Sequence, residues 1–223
     1  MANFDLEEQE QIDQLKHFWS QYGNLITWVL IAALGGYAAW NGWNWWQRSQ
    51  AVKAAAIYDE IERAAQAKDT AKTEAALADI KDKFGRTTFA AQGGLLAAQS
   101  LFEAGKADSA KAALTWVADN ASDEAYKALA RLRLAGLAID AKAYDEAIKL
   151  LQAPMPEAYA ALAADRLGDA LMAQGKGEEA KAQYQKAWDS MSARTEYRQL
   201  VQVKLASLGV QVADKAVASG AAQ

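Results

Sequence analysis

The longest apolar stretch of the chain runs from Leu25 to Trp46 and contains no Asp, Glu, Lys, Arg or His. As a helix rising 1.5 Å per residue it would be about 33 Å long, enough for a hydrocarbon core of about 30 Å. Aromatic rings that carry one polar donor flank this stretch, and such rings favour the membrane interface. We predict a transmembrane helix over residues 24–47 with interfacial anchors at Trp19, Tyr22, Trp43, Trp45, Trp46 and Arg48.

Two alternatives to a membrane anchor fit this stretch less well. A buried helix of a soluble core rarely needs this length without a charge. A cleaved signal peptide begins with basic residues, has a short apolar region and ends at small residues. Here the start is acidic, the apolar region is long, and tryptophans occupy the expected cleavage zone. The pattern therefore favours an uncleaved single-span anchor.

Residues 1–23 precede the span and carry an amphipathic pattern. Ile12, Leu15, Trp19 and Tyr22 recur at helical spacing, and Gly23 is expected to end the helix. A helix lying on the membrane surface before the span is one interpretation, and a frayed polar tail is the other. The acidic side chains of this segment would be repelled by anionic lipid, so the pattern does not exclude the tail.

Small residues recur within the span at Ala32, Gly35, Gly36 and Ala39. This small-residue strip would let a second helix approach closely, because small side chains bring two backbones together in lipid. The alternative is an ordinary anchor in which the small residues have no role.

The helix is predicted to continue beyond the span, because neither Gly nor Pro occurs from Trp43 to Phe84. A polar turn at residues 68–70 separates it from a second helix, which ends before Gly85. Residues 48–86 are therefore predicted to form a membrane-proximal helical pair.

A repeating pattern of small and large apolar residues follows over residues 87–209. The alanines Ala110, Ala147 and Ala180 are equivalent in three units and lie 37 and 33 residues apart. A turn glycine precedes two of them, and Lys142 stands in the same place before Ala147. A period near 34 indicates helix–turn–helix repeats stacked in a solenoid, with an irregular helical bundle as the alternative. A final helix should cap the array, and residues 210–223 are predicted to be a loose tail.

The net charge and the available reactive residues limit the classes of function that the chain can have. The chain has no cysteine and a formal net charge of −4, of which residues 51–223 carry only −1. A domain so close to neutral has no positive electrostatic field that would attract nucleic acid. His17 is the only histidine, and no nucleotide-binding or hydrolase motif occurs. Asp165 and Asp169 share a helix face, where we expect them to line a groove. We predict no enzyme, no cofactor, no metal and no small-molecule substrate.

These residues carry a resemblance. The acidic opening followed by LKHFWSQYG, the single span and the repeat DRLGDALMAQGKGEEAKAQYQKAW resemble the YfgM family over almost the whole chain. The resemblance implies an all-α fold, in which one transmembrane helix is followed by a tetratricopeptide-like helical-repeat solenoid. It also implies an ancillary subunit of the SecYEG translocon in the bacterial inner membrane. Further expected partners are membrane lipid and a membrane-anchored periplasmic chaperone of the peptidyl-prolyl isomerase type.

We also predict the orientation of the chain in the membrane and its protein-binding surface. The resemblance implies a cytoplasmic N-terminus and a periplasmic repeat domain, whereas the count of basic residues beside the span weakly favours the reverse. A membrane-tethered assembly scaffold for another envelope complex is the alternative function. Repeat spacing predicts an inner face without a cationic clamp, and so an apolar protein-binding groove formed by Phe102, Leu132, Ile139 and Met172.

Overall fold

The computed structural model describes residues 6–192 and 195–212, with side chains described from Ile12 onward. Over these residues every regular element is an α-helix, which confirms the all-α class. The predicted tail lies outside the described residues from Ala213 onward. The helices are α1 (Leu6–Gln66), α2 (Thr70–Phe84), α3 (Thr88–Glu103), α4 (Ala107–Asn120), α5 (Glu124–Asp140), α6 (Tyr144–Gln152), α7 (Glu157–Ala173), α8 (Gly177–Ser190) and α9 (Tyr197–Ser207).

The chain divides into two compact units, residues 1–50 and 51–223. The described part of the first unit belongs to α1 and exposes large apolar side chains along its length, among them Leu25, Trp28, Leu34 and Tyr37. One helix, Ile12–Gln66, is long and apolar enough to cross a membrane. Exposed apolar residues over such a length suit lipid rather than water. The first unit therefore fits a membrane anchor.

Gly23 does not end a helix, and that expectation is wrong. Helix α1 continues through it, with the Trp19 ring lying 3.1 Å from where a Cβ would stand at position 23. The Thr27 hydroxyl donates a hydrogen bond of 2.7 Å to the Gly23 carbonyl. Glycine in a helix interior costs only about 1 kcal/mol, which a long flanking helix overcomes.

The second unit repeats one turn geometry. In the α3–α4 turn, the Gly105 N–H donates to the Phe102 carbonyl and the Lys106 N–H donates to the Leu101 carbonyl. This pair of bonds is the Schellman motif, which needs a residue with positive φ. The same bonds recur at intervals of 33–37 residues after α1, α3, α5, α7 and α9, with the left-handed residue at Lys68, Gly105, Lys142, Gly175 and Gly209.

The turn geometry extends the repeat to the end of α1 and to α2, which precede the residues over which the sequence predicts it. Lys142 has a φ of 58°, which confirms that it stands in place of glycine. Lys68 has a φ of 54°, so the end of α1 and α2 form a turn of the same kind. Thr73 occupies the position of the repeat alanines and is fully buried there. Sequence reasoning missed this unit because neither its turn residue nor its small residue has the expected type.

Small residues lie where paired helices touch. Ala110, Ala147 and Ala180 are fully buried, as their spacing predicts. Gly94 and Gly168 lie so close to Val117 and Tyr184 that an added Cβ would overlap those side chains. The buried residues form two clusters, a first from Ala54 to Leu134 and a second from Leu132 to Leu205.

Candidate protein-binding groove

A groove of about 370 Å³ is lined by α3, α5 and α7, the first helices of three successive repeats, and by Ala110 and Leu114 of α4. Its lining combines apolar and charged side chains with Gly136. The polar and aromatic lining residues are Gln99, Phe102, Arg133, Asp140 and Arg166.

The four residues predicted to form an apolar groove fall into different environments. Phe102 lines the groove and is 47% exposed. Met172 occupies the same repeat position on α7, three residues before the turn, and is 39% exposed. Ile139, the equivalent residue on α5, packs partly against the second core cluster. Leu132 is only 3% exposed and belongs to that core.

Of the predicted inward positions, Leu132 and Asp165 lie one residue too early, whereas Phe102 lines the groove as predicted. Leu95, Leu132 and Asp165 share a repeat position, and all three are buried. Their successors on α5 and α7, Arg133 and Arg166, line the groove instead. One residue turns the helix by about 100°, so this shift exchanges the core for the groove. Arg133 and Arg166 lie at the same distance in sequence from the turns of their repeats, and this regularity could have revealed them.

The groove lining contains two arginines, on a surface where the sequence predicted an inner face without a cationic clamp. The Arg133 guanidinium donates from Nη1 to the Leu95 carbonyl at 3.1 Å, which links α5 to α3. The Arg166 guanidinium lies beside Gly136, and a Cβ at position 136 would be 3.4 Å from its Nη1 atom. The groove lining therefore contains two guanidinium groups and one carboxylate, that of Asp140.

Asp165 and Asp169 do not line the groove, which corrects the second expectation for this surface. Asp165 is fully buried, and Lys204 on α9 donates to both of its carboxylate oxygens at 2.9 Å. The Tyr197 hydroxyl donates to Asp165 at 2.6 Å, and the Tyr184 hydroxyl donates to Asp169 at 2.8 Å. Lys204 also binds Asp169, with a shortest distance of 2.7 Å. The two aspartates therefore hold the last helix in place.

Burial sets the protonation behaviour of both tyrosines in this network. It raises the pKa of Tyr184 and of Tyr197 well above the ordinary value, and the hydrogen bonds to Asp169 and Asp165 raise it further. Both hydroxyls stay protonated as donors, which satisfies carboxylate oxygens that lie away from water.

The first unit presents its predicted features on the helix surface. The small-residue strip, defined by Ala32, Gly35, Gly36 and Ala39, is exposed, and nothing lies within 4 Å of a Cβ placed at either glycine. His17 is also exposed. Among the residues with described side chains, no group of three or more His, Cys, Asp or Glu could hold a metal ion. The residues predicted to anchor the helix at the membrane interface are exposed as well, namely Trp19, Tyr22, Trp43, Trp45, Trp46 and Arg48.

Stacked helix pairs with one recurring turn define a helical-repeat protein of the tetratricopeptide class. The family model for a tetratricopeptide repeat-like domain matches residues 16–210, which include the apolar helix. The chain is 34% identical over 204 residues to a protein of Neisseria gonorrhoeae named ancillary SecYEG translocon subunit, covering 91% of this chain and 98% of that one. The chain belongs to this family, which confirms the resemblance.

Two further relatives carry the same name. The protein of Haemophilus influenzae is 27% identical over 92% of this chain and 99% of its own length. The protein of Escherichia coli is 28% identical over 82% of this chain and 86% of its own. The similarity therefore spans both the apolar helix and the repeats.

Proposed function

We propose that this protein is an ancillary subunit of the SecYEG translocon, anchored in the inner membrane by α1. The observation that carries the proposal is the full-length similarity to relatives of that name, which includes both the anchor and the repeat domain. In this role the repeat domain lies in the periplasm and pairs with a membrane-anchored chaperone of the peptidyl-prolyl isomerase type. The pair assists the traffic of secreted or outer-membrane proteins.

The repeat domain supplies protein-binding surface in this proposal. Its groove combines exposed Phe102 with hydrogen-bond donors from two arginines, a mixture typical of protein interfaces. Met172 adds a second exposed apolar side chain on α7. Leu132 is a core residue and plays no part in partner binding.

Purification of the full chain from native membranes in a mild detergent tests the proposal. SecY and a membrane-anchored isomerase-type chaperone should co-purify with it at stoichiometric levels. A matched single-span protein of similar abundance serves as the control for nonspecific capture. Recovery of another envelope complex without any translocon subunit would replace the proposal with a general assembly-scaffold role.

Orientation has its own test. Protease added to spheroplasts should digest residues 49–223 and leave the first 20 residues intact, because only the repeat domain would face outward. Protection of the repeat domain until the membrane is permeabilised would reverse the assigned orientation.

The small-residue strip is proposed as the docking surface for a translocon helix. Gly36→Leu adds bulk where backbones would approach, and leucine is at least as compatible with lipid as glycine. Crosslinking to the translocon should fall while membrane insertion stays unchanged. Ala38→Leu places the same bulk on another face of α1 and should leave crosslinking unaffected. Equal crosslinking of both variants would favour an anchor without a docking role.

A further inference from the structure

Two arginines occupy the same place in successive repeats of the groove. Arg133 on α5 and Arg166 on α7 each lie nine residues before the left-handed turn residue that ends their helix unit. Both line the same groove beside Phe102. Because the repeats stack in register, equivalent positions on neighbouring helices present side chains to a common surface.

Arg166 has a donor that the protein itself does not use. Its Nε atom is buried and makes no hydrogen bond. Within residues 12–192 and 195–212, no carboxylate lies within ion-pair distance of either groove arginine, although Asp140 also lines the groove. A buried donor without a partner is unfavourable, so water or a ligand group that accepted a hydrogen bond from this guanidinium would offset part of that cost.

Gly136 provides the space in which Arg166 lies. A Cβ at this position would stand 3.4 Å from Arg166 Nη1, and larger side chains would occupy the room around the guanidinium. The absence of a side chain on α5 therefore keeps one side of Arg166 open to the groove.

The charge and shape of the groove indicate which kind of ligand it binds. A guanidinium presents donors in a planar fork that matches a carboxylate, and two guanidinium groups outnumber the single acidic residue of the lining. Phe102, almost half exposed, offers an apolar contact next to these donors. We propose that the groove binds a segment of a partner protein in which an Asp or Glu side chain pairs with Arg166 and a neighbouring apolar side chain packs on Phe102.

This inference rests on the proposed role of the domain in protein binding, but its test does not involve the translocon. The full chain in detergent or nanodiscs is applied to an array of short, C-terminally amidated peptides and to a matched set with free carboxyl termini. In these peptides Asp is exchanged for Asn, and Phe for Ala, in a Gly/Ser background. Peptides that combine Asp with Phe should bind, and the Asp→Asn exchange should weaken binding by about tenfold or more. Higher salt should weaken the acidic peptides selectively.

Variants of the protein assign the binding to the groove. Arg166→Gln should abolish the preference for Asp over Asn, whereas Arg86→Gln, at an exposed arginine outside the groove, should retain it. Gly136→Leu fills the space beside Arg166 and should have the same effect as Arg166→Gln, which guards against a folding defect in either variant. The helical circular dichroism and unfolding midpoint of each variant are measured in parallel.

Several results would overturn the inference while leaving translocon association intact. These are equal binding of Asp and Asn peptides, wild-type preference in a folded Arg166→Gln variant, no binding by any peptide, and binding only when the peptide carboxyl terminus is free. Conversely, a failure to co-purify SecY would count against the proposed function without affecting the acidic preference of the groove.

Discussion

The two core clusters of the repeat domain bury different kinds of side chain. In the first cluster the packed residues are apolar, and the buried polar side chain on its described helices, that of Thr73, carries no charge. The second cluster closes on α9, where Asp165 is buried against Lys204. Arg198 is also buried there, with its guanidinium carbon 3.8 Å from the centre of the Trp188 ring. The last helix is therefore attached through charged groups as well as apolar contacts.

This difference separates two ways of ordering a repeat array. Apolar packing between small residues recurs from unit to unit and tolerates changes that preserve volume. A buried ion pair works only with its own partner, and removal of one member leaves an unfavourable buried charge. The second cluster should therefore respond more sharply to single substitutions of polar residues.

The largest expected effect is the loss of Lys204. Lys204→Met leaves the fully buried Asp165 without its cation, which should lower the free energy of unfolding by about 3–5 kcal/mol. Lys111→Met removes an exposed ion pair with Glu146 between α4 and α6 and should leave the unfolding midpoint almost unchanged.

Chemical denaturation of both variants, followed by circular dichroism, measures this contrast. Adding Asp165→Asn to Lys204→Met should recover part of the loss, because the buried charge is then absent. Equal, small effects of Lys204→Met and Lys111→Met would show that the network contributes no more than a surface pair.

Overpacking should affect both clusters. Gly168→Ala would place its Cβ 2.6 Å from Tyr184 Cδ1, and Gly94→Ala would meet Val117 in the same manner. Each should destabilise the protein by about 1–3 kcal/mol, less the gain in helix propensity. Gly136→Ala meets only the mobile end of Arg166 and should be neutral or stabilising. Thermal unfolding distinguishes the three, and a destabilised Gly136→Ala would contradict this packing argument.

Alkaline pH should weaken the second cluster through Tyr184. Its pKa is raised by burial and by the hydrogen bond to Asp169, so its contribution to stability is complete below the ordinary tyrosine pKa of about 10. That contribution is lost progressively as the pH rises above this value. Tyr184→Phe should therefore show a shallower decline in unfolding midpoint between about pH 9 and pH 11. If the unfolding midpoint declined with the same slope in both proteins, ionisation of Tyr184 would not be the cause of the decline.

The smallest effect concerns the turn between α5 and α6, within the second cluster. Lys142 adopts a left-handed conformation that costs a residue with a Cβ about 1–2 kcal/mol relative to glycine. Lys142→Gly should therefore stabilise the protein by up to about 1 kcal/mol, once the greater freedom of the unfolded chain is subtracted. Gly175→Ala at the equivalent turn should have the opposite sign. Two changes of the same sign in thermal unfolding would contradict the equivalence of these turns.

The parts of the molecule that were predictable are those encoded locally. The charge-free stretch from Leu25 indicated the apolar helix, and the alanine spacing indicated the repeats, because both patterns depend on neighbours within one or two helices. Lys68 concealed the first repeat turn, since lysine is not the residue expected at positive φ. The groove arginines were missed because each directly follows a buried residue, Leu132 or Asp165, and one residue turns a helix by about 100°.

The buried network had no local signal. Asp165 and Lys204 are 39 residues apart in the chain, and nothing in either segment distinguishes a buried pair from two solvated charges. Only the docking of α9 onto α7 and α8 brings them together. Long-range pairs of this kind depend on tertiary packing and lie beyond periodicity arguments.

Photocrosslinking in growing cells tests the central claim most directly. A photoreactive amino acid at Gly36, in the small-residue strip, should give an adduct with a SecYEG subunit, whereas the same probe at Ala38 should give a weaker one. The adduct at Gly36 should persist in a variant that carries Arg166→Gln, because the groove is not needed for this contact. Adducts with lipid alone, or with an envelope complex that lacks translocon subunits, would contradict the assignment of this chain to the translocon.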